Sequence, residues 1–168
     1  MRNDTRGFTL IEALIALLVL TVGLLGAASM LLTSVRNSHN SYLRSQASFM
    51  ADSLLERMRA NPFSIWRGDY NGVLDVTTPA ATACGAAGCT PQQVASFDRA
   101  AVAQQILQHL PNGRGDVLCE VVGAAPVVNF GIMPVNGSCR IEIRWDEKRD
   151  VEADTGPSDQ MFELVVQP

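Results

Sequence analysis

The chain has 168 residues, 47% of them hydrophobic, a length that allows one domain plus an appendage. Its net charge is −4, and −5 without the first seven residues, where Arg2 and Arg6 outweigh Asp4. That balance argues against nucleic acid as the main ligand, because phosphate contacts call for clustered Lys and Arg.

Charge is absent from Ala13 to Val35, a run of 23 positions. At about 1.5 Å per residue a helix there covers roughly 34 Å, enough to cross a bilayer core. A removable secretory signal has a shorter apolar run and is cut after it, so this segment is expected to stay as a transmembrane helix. Glu12 stands at its start among Phe8, Leu10, Ile11, Ala13, Leu14 and Ile15. A carboxylate costs on the order of 2.5–3.5 kcal/mol at the bilayer centre and less at the interface. Glu12 therefore reads either as a headgroup-level residue or as a charge with a partner.

The string Arg6-Gly7-Phe8-Thr9-Leu10-Ile11-Glu12 before an apolar helix resembles the class III signal of type IV prepilins. The resemblance implies cleavage between Gly7 and Phe8 by a membrane prepilin peptidase, followed by N-methylation of Phe8. It makes Glu12 the fifth residue of the mature chain, meeting the Phe8 ammonium of a neighbouring subunit during assembly. It also puts the N-terminus in the cytoplasm. The charge count leaves orientation open, since Arg36 and Arg44 follow the span as Arg2 and Arg6 precede it.

No proline occurs between Phe8 and Asn61, and apolar residues continue at helical spacing through Leu32, Val35, Tyr42, Leu43, Phe49, Met50, Leu54 and Met58. The pattern predicts one long helix with an amphipathic outer half, stopped at Asn61-Pro62. Gly23 and Gly26 within it read as close helix packing in the membrane, favoured over local melting of the helix in a filament. Residues 63–88 read as an irregular loop. Thr90-Pro91 opens a second helix over Gln92 to Leu110 with Val94, Phe97, Val102, Ile106 and Leu107 apolar, closed by Pro111-Asn112-Gly113-Arg114-Gly115. Alternation then predicts strands at Val117–Val121, Cys139–Trp145 and Phe162–Val166, with a further candidate at Val127–Met133.

Four cysteines, all beyond the span, suggest disulfides if that part is exported, and four allow three pairings. Their spacing is a poor match to a zinc site. Cys119 and Cys139 fall on the core side of neighbouring candidate strands, which favours Cys119–Cys139 and Cys84–Cys89, with geometry left to decide. His39 and His109 lie far apart and read as surface residues. The carboxylate-rich run from Asp146 to Asp159 fits no EF-hand loop and reads as a solvated loop. Arg36, Arg44, Arg57 and Arg59 read as salt-bridge partners. No catalytic constellation, cofactor or metal site is predicted.

The resemblance implies an α+β pilin-like fold, a long N-terminal spine helix packed on a small antiparallel sheet with one additional helix. Residues 1–7 are then a removed leader, 8–35 the transmembrane and assembly half of the spine, 36–61 its amphipathic half, and 62–168 a periplasmic globular domain. Within the family the chain is most similar to PilV-type minor pilins. Residues 51–62 (ADSLLERMRANP), 110–115 (LPNGRG) and 143–147 (IRWDE) carry that likeness. It implies a low-copy, tip-located subunit that helps start or cap a pilus and leaves the inner membrane for the cell exterior. The implied partners are the peptidase/methyltransferase, other minor pilins and the major pilin, the inner-membrane assembly platform and a tip adhesin. A minor pseudopilin of a type II secretion system shares the same signal logic. A DNA-uptake pilin and a membrane-tethered enzyme are weaker alternatives.

Overall fold

In a chain free of proline from Phe8 to Asn61, nothing interrupts the backbone ladder, and the first helix, α1, runs from Leu10 to Arg59. The computed structural model describes residues 8–79, 88–123, 136–147 and 158–167. Two compact units divide the chain, residues 1–41 and 42–168, and α1 takes part in both.

In the first unit α1 is apolar on every side, with Leu, Val and Ile exposed all round from Leu10 to Val35 in the isolated chain. One 18-residue window reaches a mean hydropathy of 2.5 with nothing buried. A helix hydrophobic on all faces fits a lipid or a bundle of helices, not water.

In the second unit the same helix carries a single apolar stripe. Leu43, Ala47, Met50, Ala51, Leu54, Leu55 and Met58 are buried, at spacings of three and four. Each fully buried Leu or Met contributes about 1.5–3 kcal/mol. Tyr42 and Phe49, expected in this stripe from their apolar character, are exposed. Ala47 and Ala51 are fully buried in the stripe instead.

The helix ends just before Asn61-Pro62, as that dipeptide predicts, but the next residues depart from the expected loop. Pro62–Arg67 forms a short helix, α2, with proline at its start, where the missing N–H costs nothing. Gly68 closes it at φ 74°, a left-handed conformation that a side chain disfavours. Gly72–Leu74 then forms strand β1, with Leu74 buried. The signals for both were too short to register: six residues and three, set among Gly, Asn and Asp.

Helix α3 spans Pro91–His109, opened by a capping box in which Thr90 and Gln93 exchange side-chain and backbone hydrogen bonds. Its buried residues are Ala95, Asp98, Val102, Ala103 and Ile106. Phe97, an expected core residue, is 55% exposed, and Leu107 is partly exposed. The helix is rotated so that Asp98 faces inward, which carries its neighbour Phe97 about 100° round the axis to the outside.

Strands β2 (Arg114–Val121), β3 (Gly137–Glu147) and β4 (Ser158–Val166) complete a four-stranded antiparallel sheet in the order β1-β2-β3-β4. Gly113 lets the α3–β2 turn close, since a Cβ there would lie 2.8 Å from the Ile106 carbonyl oxygen. The core face carries Val117, Cys119, Cys139, Ile141, Ile143 and Trp145. The acidic run begins inside the sheet, not in a loop, because Asp146 and Glu147 belong to β3 and Asp159 to β4. The strand expected at Val127–Met133 lies outside the described residues.

Cys119 and Cys139 face each other across β2 and β3 and are joined in a disulfide. Cys89 is disulfide-bonded as well, and Cys84, its expected partner, lies outside the described residues. A crosslink of separation 20 restricts the unfolded chain. Replacing Cys119 and Cys139 together with Ala is expected to cost about 3 kcal/mol. Urea titration of the full chain in detergent should show a lower midpoint, and an unchanged midpoint would mean that sheet packing alone holds the strands.

Candidate functional site

Two groups of polar residues stand out in a chain otherwise ordered by apolar contact. The first is at the start of α1. Thr9 caps the helix: the Glu12 N–H lies 3.1 Å from the Thr9 carbonyl oxygen and 3.4 Å from Thr9 Oγ1, and the Ala13 N–H donates to the same carbonyl at 3.3 Å. Threonine followed three residues later by glutamate is the spacing of a capping box. Glu12 therefore sits in the first helical turn, where the helix dipole favours a negative charge. Phe8 is 79% exposed in the isolated chain. Gly7 lies outside the described residues.

With Phe8 as N-terminal residue, its ammonium would stand four residues before this carboxylate, just outside the helix that begins at Leu10. In an apolar bundle two such charges are costly apart and tolerable together.

The second group lies inside the 42–168 unit, where the end of α1, the α2–β1 turn and α3 converge. The Asp98 carboxylate is 5% exposed. Its Oδ1 accepts from Arg57 Nη1 at 3.0 Å, and its Oδ2 accepts from the Tyr70 hydroxyl at 2.9 Å. The Tyr70 oxygen accepts in turn from Asn61 Nδ2 at 3.4 Å, and the same amide donates to the Pro91 carbonyl at 2.8 Å. Both carboxylate oxygens are satisfied, which is what a buried charge requires. Burial first, and then the Asp98 charge and hydrogen bond, push the Tyr70 phenol above its usual value, against smaller opposing effects of Asn61 and Arg57.

Of the arginines read as ion-pair partners, Arg57 binds Asp98 and Arg59 pairs with Glu56 at 3.0 Å. The sequence did not point to Asn61, Tyr70 or Asp98. The available signal was Asp98 itself, a carboxylate at core spacing from Val102. Asn71 was missed too: its side chain exchanges hydrogen bonds with the Cys119 backbone at 2.8 and 3.4 Å, prolonging the β1–β2 ladder by one residue.

His39 is exposed on α1, and His109, at the end of α3, sets Nδ1 2.9 Å from the Gln105 carbonyl oxygen. Among the described residues no three His, Cys, Asp or Glu converge on a metal-sized site. The Leu110–Gly115 turn and the Ile143–Glu147 strand end, two stretches that looked distinctive in sequence, meet in space. Asn112 Nδ2 donates to Asp146 Oδ2 at 2.7 Å, and the Asp146 N–H donates to the Pro111 carbonyl at 2.9 Å.

Comparison with known families gives two matches that adjoin along the chain. The prokaryotic N-terminal methylation motif matches residues 2–28. The family described as type IV pilin Tt1218 matches residues 29–100. No curated protein and no solved structure matches the chain significantly.

Asp98→Ala leaves the Arg57 guanidinium without its partner and is expected to destabilise the protein by about 2 kcal/mol, less than a fully buried pair because Arg57 is partly exposed. Chemical denaturation of the full chain reads this, and a loss under about 0.5 kcal/mol would mean that the junction is decoration. Tyr70 adds a pH dependence. A phenol raised in the folded state contributes stability that is intact below its unfolded value of about 10 and falls as pH rises above it. Tyr70→Phe should flatten that alkaline decline.

Proposed function

The chain is a type IV pilin-like protein carrying a class III prepilin signal, and we propose that within that family it serves as a minor pilin. Pilins are structural subunits, and the residues that would act here are assembly residues. The observation that carries the reading is the N-terminal segment itself: Glu12 in the first turn of α1, four residues after Phe8, ahead of 23 uncharged positions.

In this reading hydrolysis of the Gly7–Phe8 peptide bond removes residues 1–7 and frees the Phe8 amine, which is then methylated. Residues 8–35 hold the subunit in the inner membrane, and the domain beyond the amphipathic 36–61 segment faces the periplasm. The Glu12 carboxylate of an incoming subunit pairs with the Phe8 ammonium of one already placed. That pairing offsets the cost of two desolvated charges in a single register and so favours docking there over slippage.

The low-copy, tip-proximal role rests on the likeness to PilV-type minor pilins. Partners follow from the role: the peptidase/methyltransferase, the assembly platform, the other minor pilins and the major pilin, and a tip adhesin.

Protein recovered from membranes of cells with active prepilin peptidase should begin at N-methylated Phe8 by N-terminal mass analysis. A chain beginning at Met1 would overturn the reading. Glu12→Ala should leave processing and membrane insertion largely intact yet remove the protein from sheared pili, and normal incorporation would refute the paired-charge role. Deletion should abolish twitching, whereas loss of exoprotein release would identify a secretion pseudopilin.

A further inference from the structure

Among the described residues the sheet ends on β4, which pairs only with β3. The middle of the sheet decides which of its backbone groups point outward. The Cys119 N–H and carbonyl both engage Asn71, on the β1 side, so they point away from β3. Cys119 and Cys139 are thus a non-hydrogen-bonded pair, and in an antiparallel ladder such pairs alternate with hydrogen-bonded ones. Cys139 must then turn its polar groups toward β4, where it meets Val166, and Ile141 meets Leu164, Ile143 meets Phe162 and Trp145 meets Gln160 in the same way. The N–H and carbonyl groups of Asp159, Met161, Glu163 and Val165 are left pointing off the edge.

Side chains on both faces agree with an edge that lacks a neighbour. On the core face Ile141 and Ile143 of β3 are fully buried, while Phe162, Leu164 and Val166 of β4 are only half-buried, so the core covering thins out at β4. On the other face Met161 and Val165 are 48% and 58% exposed. From Asp159 to Val166 the strand has no proline or lysine, and its two charges, Asp159 and Glu163, are paired with Arg114 and Arg140 of the same sheet.

Charge selects the occupant. The face that carries Met161 and Val165 also carries Asp116, Glu120, Glu142, Asp146, Asp159 and Glu163, against Arg114, Arg140 and Arg144. These arginines pair with Glu142, Asp159 and Glu163, at distances from 2.9 Å, and leave an acidic excess. A second copy of this acidic chain would bring the same excess to the contact.

We infer that the β4 edge receives an extended strand from a different subunit of the assembly, apolar on the core face and bearing Lys or Arg on the acidic face. The added strand uses the four outward N–H and carbonyl pairs and covers Phe162, Leu164 and Val166. This rests on the reading of the chain as a filament subunit.

Residue-resolved hydrogen exchange tests it on the full chain, first isolated in detergent and then in the sheared filament fraction. In the isolated chain the amides of Met161, Glu163 and Val165 should exchange fast while those of Phe162 and Leu164 are protected. In the filament all five should be protected. Outward amides already protected in the isolated chain, or still fast in the filament, would overturn the proposal. Val165→Pro removes one outward N–H and spares the β3 ladder, so it should lower recovery in filaments about tenfold at unchanged melting temperature, with Val165→Ala near wild type. Wild-type recovery of a folded Val165→Pro protein would refute the edge contact, and should that variant fail to fold, the exchange pattern still decides. A photoreactive side chain at Met161 should join an extended segment with Lys or Arg at alternate positions, whereas a join to an acidic or helical segment would refute the assignment. The N-terminal residue of the same samples keeps the two failures apart: Met1 sinks the filament reading, Phe8 with a fast edge sinks only the strand contact.

Discussion

A carboxylate buried beside a guanidinium has little freedom. Asp98 must accept from Arg57 and Tyr70 together, since either oxygen left bare would cost the desolvation of a charge. Arg57 belongs to the last turn of α1, Tyr70 to the turn leading into β1, and Asp98 to the second turn of α3. One carboxylate therefore fixes the end of the first helix against the start of the third. Other features depend on that constraint. Phe97 is pushed outward, Ala95 and Ala103 are small enough for α3 to pack closely, and Asn61 bridges Tyr70 to the Pro91 carbonyl where α3 begins. Interactions of this kind add modest net stability and more definition, because a shifted helix would strand the charge.

The parts of this fold that were legible in the sequence are those written in short-range code. An uncharged run of 23 residues, a glycine–phenylalanine junction and a glutamate at fixed distance need no tertiary context. The alternation in Cys139–Trp145 is equally local, and β3 contains it whole. The thresholds of α3 were nearly as plain, since Thr90-Pro91 is a helix start wherever it occurs. What the sequence concealed depends on contacts between distant segments. Strand β1 has three residues and exists because β2 lies beside it, with Arg99 Nη2 donating to the Val73 carbonyl at 3.2 Å. The burial of Asp98 in place of Phe97 depends on Arg57, 41 residues earlier. Hydropathy ranks Phe above Asp, and only the partner reverses the order.

The amphipathic stripe of α1 shows the same limit in milder form. Tyr42, Leu43, Phe49 and Met50 are all apolar, so periodicity admits two neighbouring stripes. The structure buries Leu43 and Met50 together with Ala47 and Ala51, and leaves Tyr42 and Phe49 in solvent. Alanine carries almost no weight in a hydropathy reading, yet it decides how near a helix can come to its neighbours. Hydropathy alone does not choose between the two faces.

A subunit built to polymerise must keep some surfaces unsatisfied while it is alone, and the two units do so by different chemistry. In the first, apolar side chains surround α1, and only a membrane or other helices can cover them. In the second, a buried carboxylate, a disulfide and a continuous core hold a sheet whose β4, among the described residues, pairs on one side only. The first surface is non-directional, because hydrophobic contact scales with area and tolerates rotation. Glu12 would give it register by adding one charge that must find its partner. The second surface is directional from the outset, because backbone hydrogen bonds come in fixed spacing and alternation. A non-directional anchor joined to two directional elements of this kind would place a subunit at one height and one orientation.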